Sequence, residues 1–289
     1  MLRSRRSRWA LTIVVAALVF AVLEIVLGGG SDEHEPDRPA PRPTSRPLPP
    51  RPRPEGPQGR LRESQAIERA RRRSPWVLRG GTRGRLIALT FDDGPGPVTP
   101  ALLASLRRLK APATFFQVAN QAQQTPELAQ EEGTGPFAAG SHTVSHARLS
   151  TLGPDAQESE IVGGVRAVAQ ATGHKPRLFR PPYGAYDDAT LRVLRREQAL
   201  MVLWTYSAYD WKHPDADYIA DRVLRLARPG AIVLMHDAGG FTRAPTLKAL
   251  PRIVRGLRRR GYRLVTVPRL LRDAPPEHRP PRPRSPYPG

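Results

Sequence analysis

Two adjacent carboxylates and a pair of histidines are the residues of this sequence best suited to hold a metal ion. Asp92 and Asp93 follow an apolar segment, where two carboxylates are costly unless something neutralises them. His142 and His146 are four residues apart, and on a helical turn that spacing places both imidazoles on one face. A His, His, Asp set leaves a position open for water, as in catalytic zinc sites. Taken alone, the carboxylates could instead form a helix N-cap or a turn, and exposed histidine pairs also arise by chance.

Three more polar groups follow apolar segments in the same way. Arg180 opens an RPPYG sequence, whose prolines stiffen the backbone, and an arginine at a strand end can orient a carboxylate. Asp210 lies in a DW pair and His236 in an LMHD sequence. A histidine paired with a carboxylate can act as a general acid. The alternatives are a rigid surface loop at Arg180 and a satisfied core histidine at His236.

The elements that must position these groups alternate between short apolar segments and helical patterns. The predicted strands are Leu86–Thr90, Ala113–Val118, Leu178–Arg180, Met201–Thr205, Ala231–Met235 and Arg263–Val267. The predicted helices are Pro100–Leu109, Pro154–Ala171, Asp187–Arg196, Ala216–Leu226 and Leu247–Arg259. This alternation predicts parallel βαβ units in an α/β fold. The carboxyl ends of parallel strands carry the active residues of such folds, and the polar groups above follow these ends.

The motifs, taken in order, resemble those of the polysaccharide deacetylase family, carbohydrate esterase family four. They are TFDDGP, HTVSH within SHTVSH, RPPYG, DW and LMHD, with a typical ATFF segment at 113–116. The resemblance covers about Arg85 to Leu271. It implies a distorted (β/α) barrel with an open groove. The implied activity is removal of N-acetyl groups from an acetylated amino-sugar polysaccharide of the cell envelope, with peptidoglycan as the favoured substrate.

The resemblance also implies a role for each matching residue. Metal ligands would be Asp93, His142 and His146, holding a divalent cation, with zinc favoured. Catalytic residues would be Asp92 as general base oriented by Arg180, and His236 as general acid held charged by Asp210. Substrate-binding residues would be Tyr183, whose backbone N–H stabilises the oxyanion, with Pro182, and with Trp211 and Leu234 around the acetyl methyl group.

Two features depart from the usual pattern of that family. The fourth motif often has an aspartate where this chain has Ser207, and residues 133–140 lack a common His-Glu pair. Neither change removes a predicted ligand, base or acid, so both bear on substrate preference. Four histidines fall outside the motifs and are interpreted as surface residues: His34, His174, His213 and His278.

Composition restricts the partners and the chemistry. The 289 residues contain no cysteine, which excludes disulfides, thiolate nucleophiles and cysteine-bound zinc. A formal net charge of +20 attracts anionic polymers in general, including lipid surfaces and cell-wall polymers. An arginine-rich composition can also reflect a genome rich in G and C. No RNA-binding aromatic signature or zinc finger is present, so no specific nucleic-acid partner is predicted.

The domain organisation follows from the ends of the chain. Residues 1–8 are basic and 9–28 apolar, which predicts a cytoplasmic segment and a signal anchor or cleaved signal peptide. Residues 29–75 form a Pro/Arg-rich linker, in which Ser31–Gly59 is predicted to be disordered and Arg60–Arg73 to form a short charged helix. Residues 272–289 form a similar tail that is also predicted to be disordered. The catalytic domain, 76–271, would lie outside the membrane, anchored to it or secreted. The basic termini could contact anionic wall polymers.

Two other functions compete with peptidoglycan deacetylation. The same motifs serve deacetylation of chitin-like chains, of an exopolysaccharide or of acetyl xylan. The Pro/Arg-rich ends would also suit a non-catalytic basic protein that binds the cell wall, with the barrel as a scaffold.

Overall fold

The computed structural model describes residues 56–240 and 242–278, which contain one sheet of nine strands surrounded by helices. The strands β1 to β9 are Trp76–Val77, Leu86–Asp92, Ala113–Gln117, Phe137–Ser141, Leu178–Phe179, Leu200–Val202, Tyr206–Ser207, Ala231–His236 and Arg263–Leu264. The helices α1 to α9 are Pro57–Arg73, Thr99–Arg108, Ala119–Gln124, Pro126–Glu132, Pro154–Thr172, Asp188–Arg196, Ala216–Leu226, Ala244–Arg259 and Val267–Asp273. The strand order is β1-β6-β5-β4-β3-β2-β8-β7, with β9 beside β2, and every ladder between these strands is parallel.

The two edges of the sheet are brought together by residues outside the ladders. Thr205 Oγ1 donates to the carbonyl of Leu78 at 2.7 Å, and the Gly80 N–H donates to the carbonyl of Gly230 at 2.8 Å. These bonds join the β1 edge to the β8 side of the sheet, which therefore curls into a distorted barrel. The predicted α/β barrel is confirmed.

Strand β2 shows how the sequence directs groups into the barrel. All seven of its residues are buried, as expected of a central parallel strand covered on both faces. Ile87, Leu89 and Phe91 belong to the core cluster that includes α2 and α8, whereas Leu86 and Ala88 belong to the cluster inside the barrel. Side chains alternate between the faces of a strand. Residues 90 and 92 therefore continue the inner face into the active site.

Helix α1 packs against the amino ends of the strands. Ala66, Ile67 and Ala70 are buried in one cluster with Leu86 and Leu178, the first residues of β2 and β5. The predicted charged helix is present, but its apolar side is part of the core. The linker predicted over 29–75 is therefore corrected: its last part belongs to the folded domain, which begins at about residue 57 and not at 76.

Replacing Ile67 with alanine is expected to destabilise the domain. Ile67 is 5% exposed, and truncation of a buried isoleucine costs about 2–4 kcal/mol through lost burial and a new cavity. The measurement is thermal unfolding of the purified protein. The matched control is Leu61→Ala on the same helix, where the side chain is 60% exposed. Equal melting temperatures for the two variants would mean that α1 is not part of the core.

The carboxyl end of the domain also differs from the prediction. The last strand ends at Leu264, because the Thr266 side chain accepts from the Arg269 N–H and caps α9, a strong helix-starting contact. Ala274 is fully buried, and Glu277 accepts hydrogen bonds from the backbone and hydroxyl of Thr82. The tail predicted to be disordered from residue 272 is therefore ordered as far as residue 278.

The predicted basic segment 1–8, the signal segment 9–28, most of the linker and residues 279–289 lie outside the described residues. Within residues 56–240 and 242–278, no helix combines the length and apolarity needed to cross a bilayer.

Within the described residues, eleven of the 46 Lys and Arg residues of the chain lie in the last turns of α-helices. Basic residues in last turns are Arg71–Arg73, Arg107, Arg108, Arg195, Arg196, Arg225, Arg258, Arg259 and Arg272. Acidic residues in first turns are Glu127, Asp155, Asp188 and Asp217. Both placements complement the helix dipole. In a parallel α/β fold they leave the amino end of the sheet basic and its carboxyl end acidic.

Candidate active site

The predicted site residues converge at the carboxyl edge of the sheet. Asp92 and His236 are the last residues of β2 and β8 and are paired in the ladder. His142 and Arg180 directly follow β4 and β5. Asp210 follows β7 by three residues and reaches His236. Five strands of the sheet thus contribute to one place.

Asp93, His142 and His146 form the set of donors that fits a metal ion. Asp93 Oδ1 lies 3.1 Å from His146 Nε2 and 3.5 Å from His142 Nε2, and the three ligand atoms lie within 4.8 Å of one another. His142 Nδ1 is 2.6 Å from the carbonyl of Arg180. In the neutral ring that contact places the proton on Nδ1 and leaves a lone pair on Nε2.

The electrostatics of this set also call for a cation. Asp93 Oδ1 is buried without a satisfying hydrogen bond. Burial raises the pKa of Asp93, but the two adjacent imidazoles and the charge of His236 hold it well below its usual range. An ionised oxygen and a ring nitrogen with its lone pair both face one point, and such atoms repel each other unless a cation lies between them. The donor types and count suit zinc.

The two histidines lie in a loop and not on the predicted helical turn. Thr143 and His146 adopt left-handed backbone conformations, with φ of 70° and 65°, which are strained for residues other than glycine. Glu160 from α5 stabilises the loop because its carboxylate accepts the N–H groups of Val144 and Ser145, each at 3.0 Å. The imidazoles nevertheless come together, with ring centroids 5.0 Å apart.

Replacing Glu160 with alanine is expected to weaken zinc binding about tenfold or more, the usual effect of losing a group that orients metal ligands. The loop that carries His146 would lose two backbone hydrogen bonds and the Ser145 hydroxyl contact. Equilibrium dialysis against zinc measures the affinity. Glu158→Ala is the control, because Glu158 lies on the same helix but pairs with Arg196. Unchanged affinity in Glu160→Ala would show that the loop is held without this contact.

Asp92 is held by a buried arginine. Arg180 is fully buried, and its Nη1 donates to Asp92 Oδ1 at 2.6 Å and to Thr90 Oγ1 at 2.8 Å. Its Nε donates to the carbonyl of Val202 at 2.9 Å, and the guanidinium lies 4.0 Å from the ring centroid of Phe116. The bond to Oδ1 leaves Oδ2, which lies 3.9 Å from His142 Nε2, directed toward the metal-binding set.

His236 is paired with a second buried carboxylate. Its Nδ1 lies 2.8 Å from Asp210 Oδ1, and its backbone N–H donates to Asp210 Oδ2 at 2.8 Å. Burial lowers the pKa of His236, but the charge and hydrogen bond of Asp210, with the charges of Asp93 and Asp92, raise it to about 9. Burial likewise raises the pKa of Asp210, and His236 brings it below its usual value. The imidazole is therefore held protonated, with Nε2 free to deliver a proton.

The four predicted substrate-binding residues differ in exposure. Tyr183 and Trp211 are 41% and 38% exposed, and the Tyr183 ring lies 4.8 Å from the His146 ring. Pro182 and Leu234 are buried. Tyr183 has a φ of 60°, and within the described residues its N–H makes no backbone hydrogen bond. The site thus has two exposed aromatic side chains and an available backbone donor.

Comparison with known proteins identifies the family to which this arrangement belongs. Residues 79–202 match the family model described as polysaccharide deacetylase. A peptidoglycan-N-acetylglucosamine deacetylase from Bacillus cereus is 38% identical over 191 residues, which cover 65% of this chain and 89% of the relative. The chain belongs to the polysaccharide deacetylase family. The predicted enzyme class is therefore confirmed.

Other similar proteins in the polysaccharide deacetylase family carry names that indicate a different substrate or a lack of activity. A chitooligosaccharide deacetylase from Sinorhizobium fredii is 34% identical and matches 66% of this chain and 94% of its own length. A crystal structure of a carbohydrate esterase family four pseudoenzyme from Bacillus anthracis is 29% identical, with a TM-score of 0.63 and coverage of 68% of each chain. Because the same fold includes a pseudoenzyme, activity has to be argued from the residues of the site.

This deacetylase also has a pair of buried acidic residues next to the active site, which the sequence analysis did not identify. Asp237 and Glu132 are 1% and 0% exposed. Burial and the charge of Asp237 raise the pKa of Glu132 well above its usual range, and burial raises the pKa of Asp237 to about 6. Thr99 donates to Asp237, and any side chain on Gly94 would overlap the Asp237 carboxylate. The Asp237 carboxylate of this pair therefore packs against Gly94, in the turn that carries Asp93.

Two departures from the family pattern also have structural explanations. Ser207 Oγ accepts the N–H of Tyr209 at 3.0 Å, so this hydroxyl stabilises the turn before Asp210. Residues 133–140, which lack the common His-Glu pair, follow α4 and include the first four residues of β4. Of the other histidines in the described residues, none belongs to the metal-binding set.

Proposed function

We propose that this protein is a zinc-dependent hydrolase that removes N-acetyl groups from N-acetylglucosamine residues of peptidoglycan. The observation that supports it is a metal-binding set placed beside two ionisable side chains, each with its own oppositely charged partner. Asp92 is held by Arg180 on one side, and His236 is held by Asp210 on the other. A reaction that both takes up and delivers a proton needs two titratable groups in different environments.

Asp93, His142 and His146 would hold the divalent cation. Bound there, the cation supplies Lewis acidity for the acetamide carbonyl and makes water a better nucleophile near neutral pH. Zinc is proposed because two imidazoles and one carboxylate match its preferred ligands and leave a position open.

The remaining chemistry can be assigned to groups of this chain. Asp92 takes a proton from a water molecule as the oxygen of that water attacks the acetamide carbon. The Tyr183 N–H donates a hydrogen bond to the carbonyl oxygen as that atom becomes negative. His236 then gives its proton to the amide nitrogen as the C–N bond breaks. The products are acetic acid, which ionises to acetate, and the free amine of glucosamine. The proton held by Asp92 returns to His236 through solvent, which restores both groups and balances atoms and protons.

The choice of polymer rests on two supporting points. The relative from Bacillus cereus is named for peptidoglycan, and the chain carries a formal net charge of +20, which favours an anionic polymer over a neutral one. The relative from Sinorhizobium fredii is named for chitooligosaccharides, which supports neutral oligomers as the second candidate.

Acetate release by the purified full-length protein tests the proposal. The protein is stripped with a chelator and assayed with and without zinc on peptidoglycan, chitotetraose and acetylated xylan. We expect zinc-restored release from peptidoglycan. Release from chitotetraose alone would move the function to neutral oligomers, release from xylan alone would make the enzyme an esterase, and no release despite bound zinc would favour the non-catalytic wall-binding protein.

We further propose that the domain works outside the cytoplasmic membrane. The support is in the sequence, where four arginines precede an apolar stretch at residues 9–27, the pattern of an export signal. Fractionation of cells that produce the full chain, or a chain lacking residues 1–28, would test this. Equal amounts of both in the cytoplasm would contradict it.

A further inference from the structure

A second arginine lies at the mouth of the active site and has no part in the chemistry above. Arg148 follows the predicted metal ligand His146 by two residues. Its guanidinium carbon lies 4.5 Å from the centroid of the Tyr183 ring, and that ring lies 4.8 Å from the His146 ring. One aromatic ring therefore separates this cation from the metal-binding set.

The Arg148 side chain is half-buried, and in residues 56–240 and 242–278 it forms no ion pair with a carboxylate. The acidic residue that holds the same loop, Glu160, already accepts three hydrogen bonds from residues 144 and 145. The carbonyl of Arg148 accepts from the N–H and hydroxyl of Thr151, which fixes its backbone. Within the part of the chain that the structure describes, the Arg148 guanidinium thus has an aromatic partner, Tyr183, but no carboxylate partner.

The other arginine of the site shows what a structural role would look like. Arg180 is fully buried, and its guanidinium is used by Asp92, Thr90 and two backbone carbonyls. Arg148 instead stacks on an exposed ring. Stacking occupies the face of a guanidinium and leaves its N–H edges available, and those edges match a carboxylate with two parallel hydrogen bonds.

We propose that Arg148 is a specificity-determining residue that binds a carboxylate on the glycan next to the acetamide being hydrolysed. The preferred substrate is then a glycan that carries carboxylates, such as the lactyl or peptide groups of peptidoglycan, and not a neutral chitooligosaccharide. This inference rests on the proposed deacetylase function and defines the substrate class of the same site.

The test compares substrates that differ only in charge. Soluble peptidoglycan fragments are prepared with free carboxylates and, in parallel, with the same carboxylates amidated. For the wild-type holoenzyme, KM is expected to be roughly three- to tenfold lower for the acidic fragment, the effect of a half-exposed charge-assisted contact. In Arg148→Gln the ratio of the two KM values falls to about one, and Arg148→Lys keeps part of it because the charge remains but the planar fork is lost.

A control and a second measurement separate the possible outcomes. Arg166→Gln removes the same charge from an exposed position on α5 and should keep the wild-type ratio. Equal losses on acidic and amidated fragments in Arg148→Gln would show that Arg148 only supports Tyr183 and would overturn the proposal, as would an unchanged ratio. Calorimetric binding of both fragments distinguishes the two hypotheses: charge-selective binding without hydrolysis would support the role of Arg148 and reject the enzyme.

Discussion

Asn in place of Asp92 is expected to lower kcat for deacetylation by about 100- to 10,000-fold, the range contributed by a positioned general base. The amide oxygen can still accept from Arg180 Nη1, which lies 2.6 Å from Asp92 Oδ1 in the native protein. The amide cannot take a proton from water. The loss should therefore appear in kcat at saturating substrate, while zinc binding through Asp93, His142 and His146 is retained.

This variant needs a stability control, because it leaves the Arg180 guanidinium buried without its counter-charge. Arg180 is fully buried, and breaking a buried ion pair costs about 3–5 kcal/mol. Melting temperature and zinc stoichiometry must show that the variant is folded and loaded at the assay temperature. Asp155→Asn, an exposed aspartate in the first turn of α5, provides the matched chemical change elsewhere. A folded, zinc-loaded Asp92→Asn protein with wild-type kcat would mean that another group is the base.

The central strands and their chemistry could be predicted because local and global signals agree there. In β2, an apolar run ends in two carboxylates, and strand alternation places Thr90 and Asp92 on the inner face with Arg180. The pairing of Asp92 with His236 follows from two parallel strands ending at the same level. The strand pattern alone predicts that these polar groups gather at the carboxyl ends of the strands. The role of Arg180 beside Asp92 was implied by the family resemblance, and the pairing of Asp92 with His236 is seen in the structure.

Other parts of the domain depend on contacts that no local pattern shows. Helix α1 is rich in arginine, and its small apolar face of Ala66, Ile67 and Ala70 becomes visible as core only against the strands it covers. Strand β4 begins with Phe137 and continues through two alanines and a glycine, a composition with weak strand preference. It forms because β3 pairs along its length. The loop at His142–His146, with left-handed Thr143 and His146, is contacted by Glu160, which lies on another element.

The acidic end of the barrel follows from the same topology. The first turns of the helices and the carboxyl ends of the strands meet at the active-site end of the barrel, so carboxylates lie around the site. The basic last turns of the helices lie at the amino end of the sheet. Arg148 differs from these carboxylates because it places a positive charge with available N–H groups at the same end of the barrel. It lies on the exposed Tyr183, where a ligand would arrive. The net positive charge of the chain can attract an anionic polymer without selecting a position on it, so selectivity at Arg148 has to come from a short, directed contact.

Replacing Asp210 with asparagine is expected to move the alkaline limb of the pH–rate profile to lower pH. A general acid must be protonated, and the pKa of His236, raised to about 9 chiefly by Asp210 against the opposing effect of burial, keeps the imidazole charged at neutral pH. A divalent cation held by Asp93, His142 and His146 would offset the contributions of Asp93 and Asp92, which would leave Asp210 as the main partner of His236. Without its charge the pKa of His236 should fall toward or below the ordinary value of about 6.5.

Two measurements report the protonation of the His236 imidazole. Activity measured as kcat between about pH 5 and pH 10 should fall most on the alkaline side, and NMR titration of the His236 ring should show the lowered pKa directly. Since the folded-state pKa of His236 is raised above the unfolded value, its stabilising contribution is full below about pH 6.5 and is lost as pH rises through about 9. The stability difference between wild type and Asp210→Asn should therefore shrink at high pH.

The control for this variant removes a hydrogen bond but no charge. Thr246 Oγ1 donates to Asp210 Oδ2 at 2.9 Å, so Thr246→Val perturbs the orientation of the carboxylate while its charge remains beside His236. A pH shift much smaller than that of Asp210→Asn is expected, because charge contributes more than one neutral donor. If Asp210→Asn lowered the pKa of His236 in the NMR titration but left the alkaline limb of kcat in place, the proton would be delivered by another group, and His236 would serve only to shape the site.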